Sequence, residues 1–332
     1  MSAPKILALQ FKYFGDAVLL TPALRALREH FPQGELHVLL PAEIAPMLQH
    51  VPWLTKVWAM PRRRGSAKPF ETWPIIRALR REKFDRSVDF GANDRGALLS
   101  FLIGATRRLT WDQPGGFVGR KFCYTERVKP EPGVQHESRK LLHLLSAWQV
   151  PAPSSMASEI AVDPSVEKRV TVPFPPGTVM CHVSTSNDKK QWPVANWVEL
   201  HRLCRAEAIH VVFAAGNNPR EQAFLTEIKK AAPEVTLLPP TPDLAMYLVW
   251  LKHAVLFISG DTGPLHFAAA LGVKTVGIFG SSSAAQWAPL GAGHVALQGA
   301  ACTCDVHAQV CTSTAPCIGA VTAQAVVERL KG

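Results

Sequence analysis

A chain of 332 residues, 47% of them hydrophobic, is too long for one ordinary core and suits two α/β domains of roughly 150 residues each. No apolar run approaches the ~20 residues that span a bilayer, and Met1-Ser2-Ala3-Pro4-Lys5 leads straight into a strand without a signal peptide, so a cytoplasmic location is expected. The net charge of +10 is uneven: residues 1–165 carry 23 Lys and Arg against 15 Asp and Glu, residues 166–332 carry 13 against 11, and an anionic partner is expected to meet the first half.

Lys5 to Phe11 is a near-continuous apolar run of strand length, followed by Phe14-Gly15-Asp16 and a helical stretch from Ala17 to His30 in which Leu20, Leu24, Leu27 and Phe31 share one face. Spacing alone leaves Asp16 open between an N-cap and a carboxylate presented at the carboxyl end of the first strand, where open α/β sheets place their sites. Alternation continues with a strand over 36–40, a helix over 42–50, a strand over 56–59 and the basic loop holding Arg62, Arg63 and Arg64. Such a run is either a solvated face or a set of guanidinium groups suited to carboxylate or phosphate.

A helix over 72–83, a strand over 86–90, a helix over 93–103 and a strand over 107–109 follow. Residues 111–133 read as a long irregular excursion, 136–148 as a helix, and the Pro-rich stretch 151–176 as the interdomain linker. The second half repeats the pattern, with a strand over 179–183, a polar loop over 184–193, a helix over 194–206, a strand over 209–214 and a helix from Asp243 to Lys252. Strand and helix alternating on both sides of a linker predict two doubly wound domains facing across a cleft.

Ser259 to Gly272 lies between the apolar runs 255–258 and 273–279 and reads as a strand, a tight polar turn and a small-residue helix. The first helical turn after Asp261-Thr262-Gly263 would aim backbone N–H groups and the positive end of the dipole at an anion, although an Asp N-cap with a Gly-eased turn is equally consistent. His266 lies one turn in, and Lys190 ends a strand-to-helix loop from which it could supply a point charge to phosphate. There is no Walker signature, no Gly-x-Gly-x-x-Gly after a strand and no Asp-x-Asp of the kind that bridges a diphosphate through a metal. No nucleic-acid recognition motif accompanies the basic residues, so no nucleic-acid partner is expected. Of seven cysteines, Cys123, Cys181 and Cys204 sit in apolar settings, while Cys302, Cys304, Cys311 and Cys317, with His307 among them, lack the paired Cys-x-x-Cys of a zinc site; the expectation is packed thiols and no metal.

Val255 to Gly280 closely resembles the C-terminal signature of the ADP-heptose:lipopolysaccharide heptosyltransferases, glycosyltransferase family 9. Lys190-Gln191-Trp192-Pro193 resembles the family's Lys-x-Trp-Pro donor segment, Phe14-Gly15-Asp16 and Thr21-Pro22-Ala23-Leu24 its opening, and 84–109 its Asp-x-x-Gly-x-x-Arg-x-Ala stretch. The resemblance implies a GT-B fold: an acceptor-binding Rossmann-like domain over 1–165, a donor-nucleotide-binding one over 166–318, and a C-terminal helix over 319–332 packing back towards the first. It implies metal-independent, inverting transfer of heptose from ADP-heptose to inner-core Kdo or heptose, with no cofactor required. Asp16 would be the base and Lys190 would stabilise the leaving diphosphate. Thr185, Ser186, Lys190, Asp261, Thr262, Gly263 and His266 would bind the donor, and Arg62, Arg63, Arg64, Arg95 and Arg120 the anionic glycolipid, with peripheral contact at the inner membrane surface. A protein acceptor, or a non-transferase sugar-nucleotide-binding protein on the same fold, are the alternative readings.

Overall fold

Ile6 to Leu9 are buried on both faces of strand β1 (Lys5–Leu9), the pattern of a strand central in a parallel sheet. The computed structural model describes residues 3–61, 69–133, 135–185, 187–304, 310–314 and 317–331. Two units divide the chain, Met1–Asp163 and Pro164–Gly332.

In the first unit β1 is joined by β2 (Glu35–Pro41), β3 (Lys56–Met60), β4 (Arg86–Asp89), β5 (Arg107–Trp111) and β6 (Glu126–Val128), all parallel, in the order β3-β2-β1-β4-β5-β6. Its helices are α1 (Phe14–Leu19), α2 (Thr21–His30), α3 (Pro69–Arg81), α4 (Asp94–Ile103) and α5 (Glu137–Leu144). The second unit opens with α6 (Pro164–Glu167) and builds an equivalent sheet from β7 (Val179–His182), β8 (Val211–Ala214), β9 (Thr236–Leu237), β10 (Leu256–Gly260), β11 (Lys274–Phe279) and β12 (His294–Gln298) in the order β12-β11-β10-β7-β8-β9. Renumbered within its own unit, that order is the same as the first, the doubly wound order in which direction reverses beside the first strand. Its remaining helices are α7 (Val194–Ala206), α8 (Pro219–Ala231), α9 (Leu244–His253), α10 (Gly263–Ala270), α11 (Ala284–Trp287) and α12 (Ala323–Glu328).

Several boundaries differ from the sequence expectation. The helix expected over 17–30 is broken at Leu20, where Pro22 in the first turn of α2 lacks the amide that would continue α1; the Thr21 hydroxyl closes the break on the Val18 carbonyl at 2.8 Å. Only the 3₁₀ turn Ala45–Met47 forms in the stretch expected as helix over 42–50, which carries Pro46. The excursion over 111–133 contains β6, and residues 151–163 run along the first unit instead of leaving it: Ala161 donates to the Met47 carbonyl at 3.0 Å, and the Glu159 carboxylate takes Trp53 Nε1 at 3.0 Å and pairs with Arg25. Within the second unit α12 buries Ala323, Val326 and Val327 in the core beside α7.

Candidate functional site

The strand-order reversal of the second unit lies between β7 and β10, so a crevice opens beyond their carboxyl ends. Two segments meet there. After β7 the chain runs through Thr185 and the turn Asp188–Lys190 to Trp192, whose buried indole donates to the Val321 carbonyl at 2.9 Å and packs edge-on against Trp197 at 4.8 Å. That anchor sets the position of Lys190 two residues earlier. After β10 come Asp261 and Thr262, and then α10. Gly260 lets the segments approach, because a Cβ there would lie 3.1 Å from both the Lys190 carbonyl oxygen and Thr185 Cγ2.

Across this junction Lys190 Nζ reaches Asp261 Oδ2 at 2.5 Å, with the Asp261 side chain only 6% exposed and that of Lys190 30% exposed. Asp261 is not the N-cap: Thr262 takes that position in extended conformation without a side-chain cap, and the Asp261 carboxylate is committed to the lysine. The other carboxylate oxygen lies 3.9 Å from Nε2 of His266, which is buried. Thr185 donates its amide to Gln191 Oε1 at 3.1 Å and its hydroxyl to the Asn187 carbonyl at 2.8 Å, which rigidifies the loop. The result is a cation beside the amino end of a helix, where the Thr262 and Gly263 amides and the helix dipole favour negative charge.

A cavity of about 440 Å³ adjoins this helix end, lined by residues that include His182, Asn217, Glu221, Tyr247, Thr262 and Phe267. A polar chain, buried except at Glu221, links His182, Tyr247 and Glu221 of this lining through Ser184. Tyr247 Oη lies 2.8 Å from His182 Nδ1, His182 Nε2 lies 3.2 Å from Ser184 Oγ, and that hydroxyl donates to Glu221 Oε2 at 2.7 Å. Burial lowers the His182 pKa to about 4, so the ring is neutral near pH 7 and serves as a hydrogen-bond link. None of the four was singled out from the sequence, because each is an ordinary polar residue until the sheet brings them together.

In the first unit the reversal lies between β1 and β4. Asp16 stands in the first turn of α1, directly after β1, and its Oδ2 accepts the Tyr13 amide at 3.1 Å, so it reaches back from inside the helix and is not its N-cap. Its side chain is 13% exposed, Lys12 Nζ lies 4.0 Å from Oδ1, and buried Glu137 lies 4.0 Å from the same lysine. Desolvation raises the Asp16 pKa, with Lys12 opposing and Glu137 adding to the rise. A carboxylate of raised basicity at a crevice is suited to accepting a proton.

Asp89, at the end of β4, does not stand out in the sequence, since the strand it closes, Arg86-Ser87-Val88-Asp89, is no apolar run. It is fully buried and accepts the Tyr124 hydroxyl at 2.6 Å and the Gly91 and Ala92 amides at 3.0 and 3.1 Å, yet burial still raises its pKa to about 6. Gly96 is required beside it, since a Cβ would fall 2.2 Å from Asp89 Oδ2. Arg95 lies over the Phe11 ring at 5.5 Å and donates to the Pro61 carbonyl at 3.1 Å. Arg120 donates to the Ala92 and Gln113 carbonyls at 3.2 and 3.1 Å and lies 3.7 Å from Asp94. Both guanidinium groups are therefore at the carboxyl edge of the sheet. Arg120, Lys121, Arg127, Tyr124 and Trp111 line a cavity of about 460 Å³ there.

Arg62, Arg63, Arg64, Ser186 and His307 lie outside the described residues. Cys304 Sγ and Cys311 Sγ are 3.9 Å apart, and Cys302, Cys304, Cys311 and Cys317 are all free thiols. Among the described residues no three His, Cys, Asp or Glu side chains form a group that could hold a metal ion.

The family model of glycosyltransferase family 9 (heptosyltransferase) matches residues 72–313. Lipopolysaccharide heptosyltransferase 3 of Escherichia coli is 23% identical over 302 residues, 84% of each chain. Among solved structures, the glycosyl transferase family 9 protein from Veillonella parvula DSM 2008 aligns over 100% of this chain and 97% of its own with a TM-score of 0.83 at 16% identity. The E. coli heptosyltransferase WaaC with ADP-2-deoxy-2-fluoro heptose aligns over 98% and 99% with a TM-score of 0.70 at 17% identity. The two Rossmann-like units and these likenesses define the GT-B fold, and the family model makes the chain a glycosyltransferase. The chain belongs to glycosyltransferase family 9, the heptosyltransferase family.

Proposed function

We propose that the protein transfers a heptose from ADP-heptose to the Kdo or heptose of the lipopolysaccharide inner core, with inversion and without a metal, at the cytoplasmic side of a membrane. The observation that carries this reading is the Lys190–Asp261 pair at the amino end of α10, between the two strands where the second sheet reverses. A fixed ammonium group and a helix amino terminus supply the positive charge that a departing diphosphate needs, and the chain has no Asp-x-Asp to supply it through a bridged cation. The adjoining cavity offers Asn217 and Glu221 to a ribose and the Phe267 ring to a base.

In this reading Asp261 holds Lys190 in place, and Thr185, Ser186 and His266 complete the donor side. On the acceptor side Asp16 takes the proton of the acceptor hydroxyl as its oxygen bonds to the anomeric carbon. The bond from that carbon to the phosphate oxygen breaks through an oxocarbenium-like transition state, and ADP leaves with the electron pair. Arg95, Arg120 and the run Arg62 to Arg64 meet the anionic groups of the acceptor. The test is ADP release from ADP-heptose with and without truncated lipopolysaccharide. Release that depends on the acceptor, with mass gain of one heptose on it, is expected. Release that is absent, or equal without acceptor, would overturn the reading.

A further inference from the structure

Nine large hydrophobic side chains are exposed among the described residues, and six of them are Trp73, Leu98, Phe101, Phe117, Val118 and Phe122, all in the first unit. Phe101 is 57% exposed, Phe122 73% and Val118 wholly so, more than single scattered apolar residues would explain. The contacts among the three elements that carry them make one face. On α4, Asp94, Leu98 and Phe101 fall at i, i+4 and i+7 and share a stripe. The Asp94 end of that stripe accepts the Phe117 amide at 3.3 Å and lies 3.7 Å from the Arg120 guanidinium, so the 117–123 turn continues it. Beneath this seam Ala97, Cys123 and Tyr124 form a small buried cluster. On α3, Trp73, Arg77 and Arg80 share a second stripe, and Arg80 donates to the Leu102 carbonyl at 3.0 Å, which ties it beside α4.

The charge of this face is mainly positive: Arg77, Arg80, Arg120 and Lys121 stand against one carboxylate of the stripe, Asp94, which lies 3.7 Å from the Arg120 guanidinium. Lys121 lies 5.2 Å from the Phe122 ring, a cation next to an apolar tip. Apart from Phe117, the side chains protrude from a turn and two helix stripes and do not line the cavity at the end of β5, which suits insertion between lipid headgroups, with the flanking cations meeting phosphates.

We infer that this face docks the protein on an anionic phospholipid bilayer. The inference rests on the reading of the acceptor as a glycolipid: the turn that bears Val118 and Phe122 also supplies Phe117, Arg120 and Lys121 to the cavity at the end of β5, so docking would bring that cavity to the lipid surface.

The test is sedimentation of the purified protein with vesicles of phosphatidylcholine, alone or mixed with phosphatidylglycerol, in the absence of donor and acceptor. Pelleting on the anionic vesicles that weakens with salt is expected, together with a loss of about tenfold or more in the triple variant Phe101→Ser, Val118→Ser, Phe122→Ser. That variant should transfer to a soluble truncated acceptor at the wild-type rate. Undiminished pelleting of the triple variant, or equal pelleting on neutral vesicles, overturns the inference. So does a wild-type dimer that the triple variant dissociates, which would assign the face to a second copy of the chain. Loss of transfer to a soluble acceptor by the wild type would strike the functional reading alone, since the vesicle assay contains neither substrate.

Discussion

Lys190 and Asp261 allow a test of whether one residue acts through the other. The ammonium lies 2.5 Å from a carboxylate that is 6% exposed, at a helix end suited to a diphosphate. One charge-assisted hydrogen bond contributes about 1.5–3 kcal/mol, so Lys190→Ala should weaken ADP binding by about ten- to a hundredfold. If Asp261 acts by holding the lysine, Asp261→Asn should cost about tenfold in the wild type and less than about twofold once Lys190 is already Ala, the signature of two residues in one unit. Calorimetric titration of ADP into the wild type, the two single variants and the double variant measures all four corners of the cycle. The reasoning is refuted if Lys190→Ala binds ADP as the wild type does, or if the two losses simply add.

Three further outcomes are expected. Asp16→Asn should retain ADP binding and lose about a hundredfold or more in turnover; because burial raises the pKa of Asp16, the acid limb of the wild-type kcat/KM profile should begin above the ordinary carboxylate value of 3.8, and a variant that keeps both rate and limb would remove Asp16 from the chemistry. Burial raises the Asp89 pKa to about 6 from the ordinary carboxylate value of 3.8, so the folded state holds its proton more tightly and this residue's contribution to stability falls as pH rises between those values, then levels. The stability difference between Asp89→Asn and the wild type should accordingly move in favour of the variant by up to about 3 kcal/mol across that window, and urea unfolding at several pH values that shows a constant difference would refute it. Trp192→Ala should cost about 3–5 kcal/mol in urea unfolding through the cavity it leaves, whereas Trp192→Phe, which loses mainly the hydrogen bond to Val321, should cost about 1 kcal/mol.

Central strands were legible because burial on both faces leaves continuous apolar runs, as in Lys5 to Phe11 and the runs flanking Ser259 to Gly272. Among the edge strands β3 was, expected over 56–59, and β6, β9 and β12 were not. β9 has two residues and β12 alternates between half-buried and exposed positions, so neither leaves such a run. Lys190 and Asp261 stood out by their places after strands, but their pairing spans 71 residues and appears only once β7 and β10 are neighbours. Asp89 and Tyr124, 35 residues apart, illustrate the same limit: a tyrosine in a Gly-rich segment carries no sign that its hydroxyl closes on a buried carboxylate. The broken helix at Leu20 was signalled by Pro22, and the leucine spacing that runs across it concealed the break.

The twin sheets have a consequence for synthesis. In each unit the first strand made is an inner one: β1 has β2 soon after it but lacks its other neighbour until residue 86 has been added, and β7 waits in the same way for residue 256. The first unit ends at Asp163, so its whole sheet can assemble while the ribosome is still producing the second. The second unit closes later, because α12 supplies Ala323, Val326 and Val327 to its core. A nascent chain of this protein therefore carries a finished amino-terminal half attached to an open carboxyl-terminal one until α12 is made, and removal of α12 would leave the first sheet intact while uncovering the core of the second.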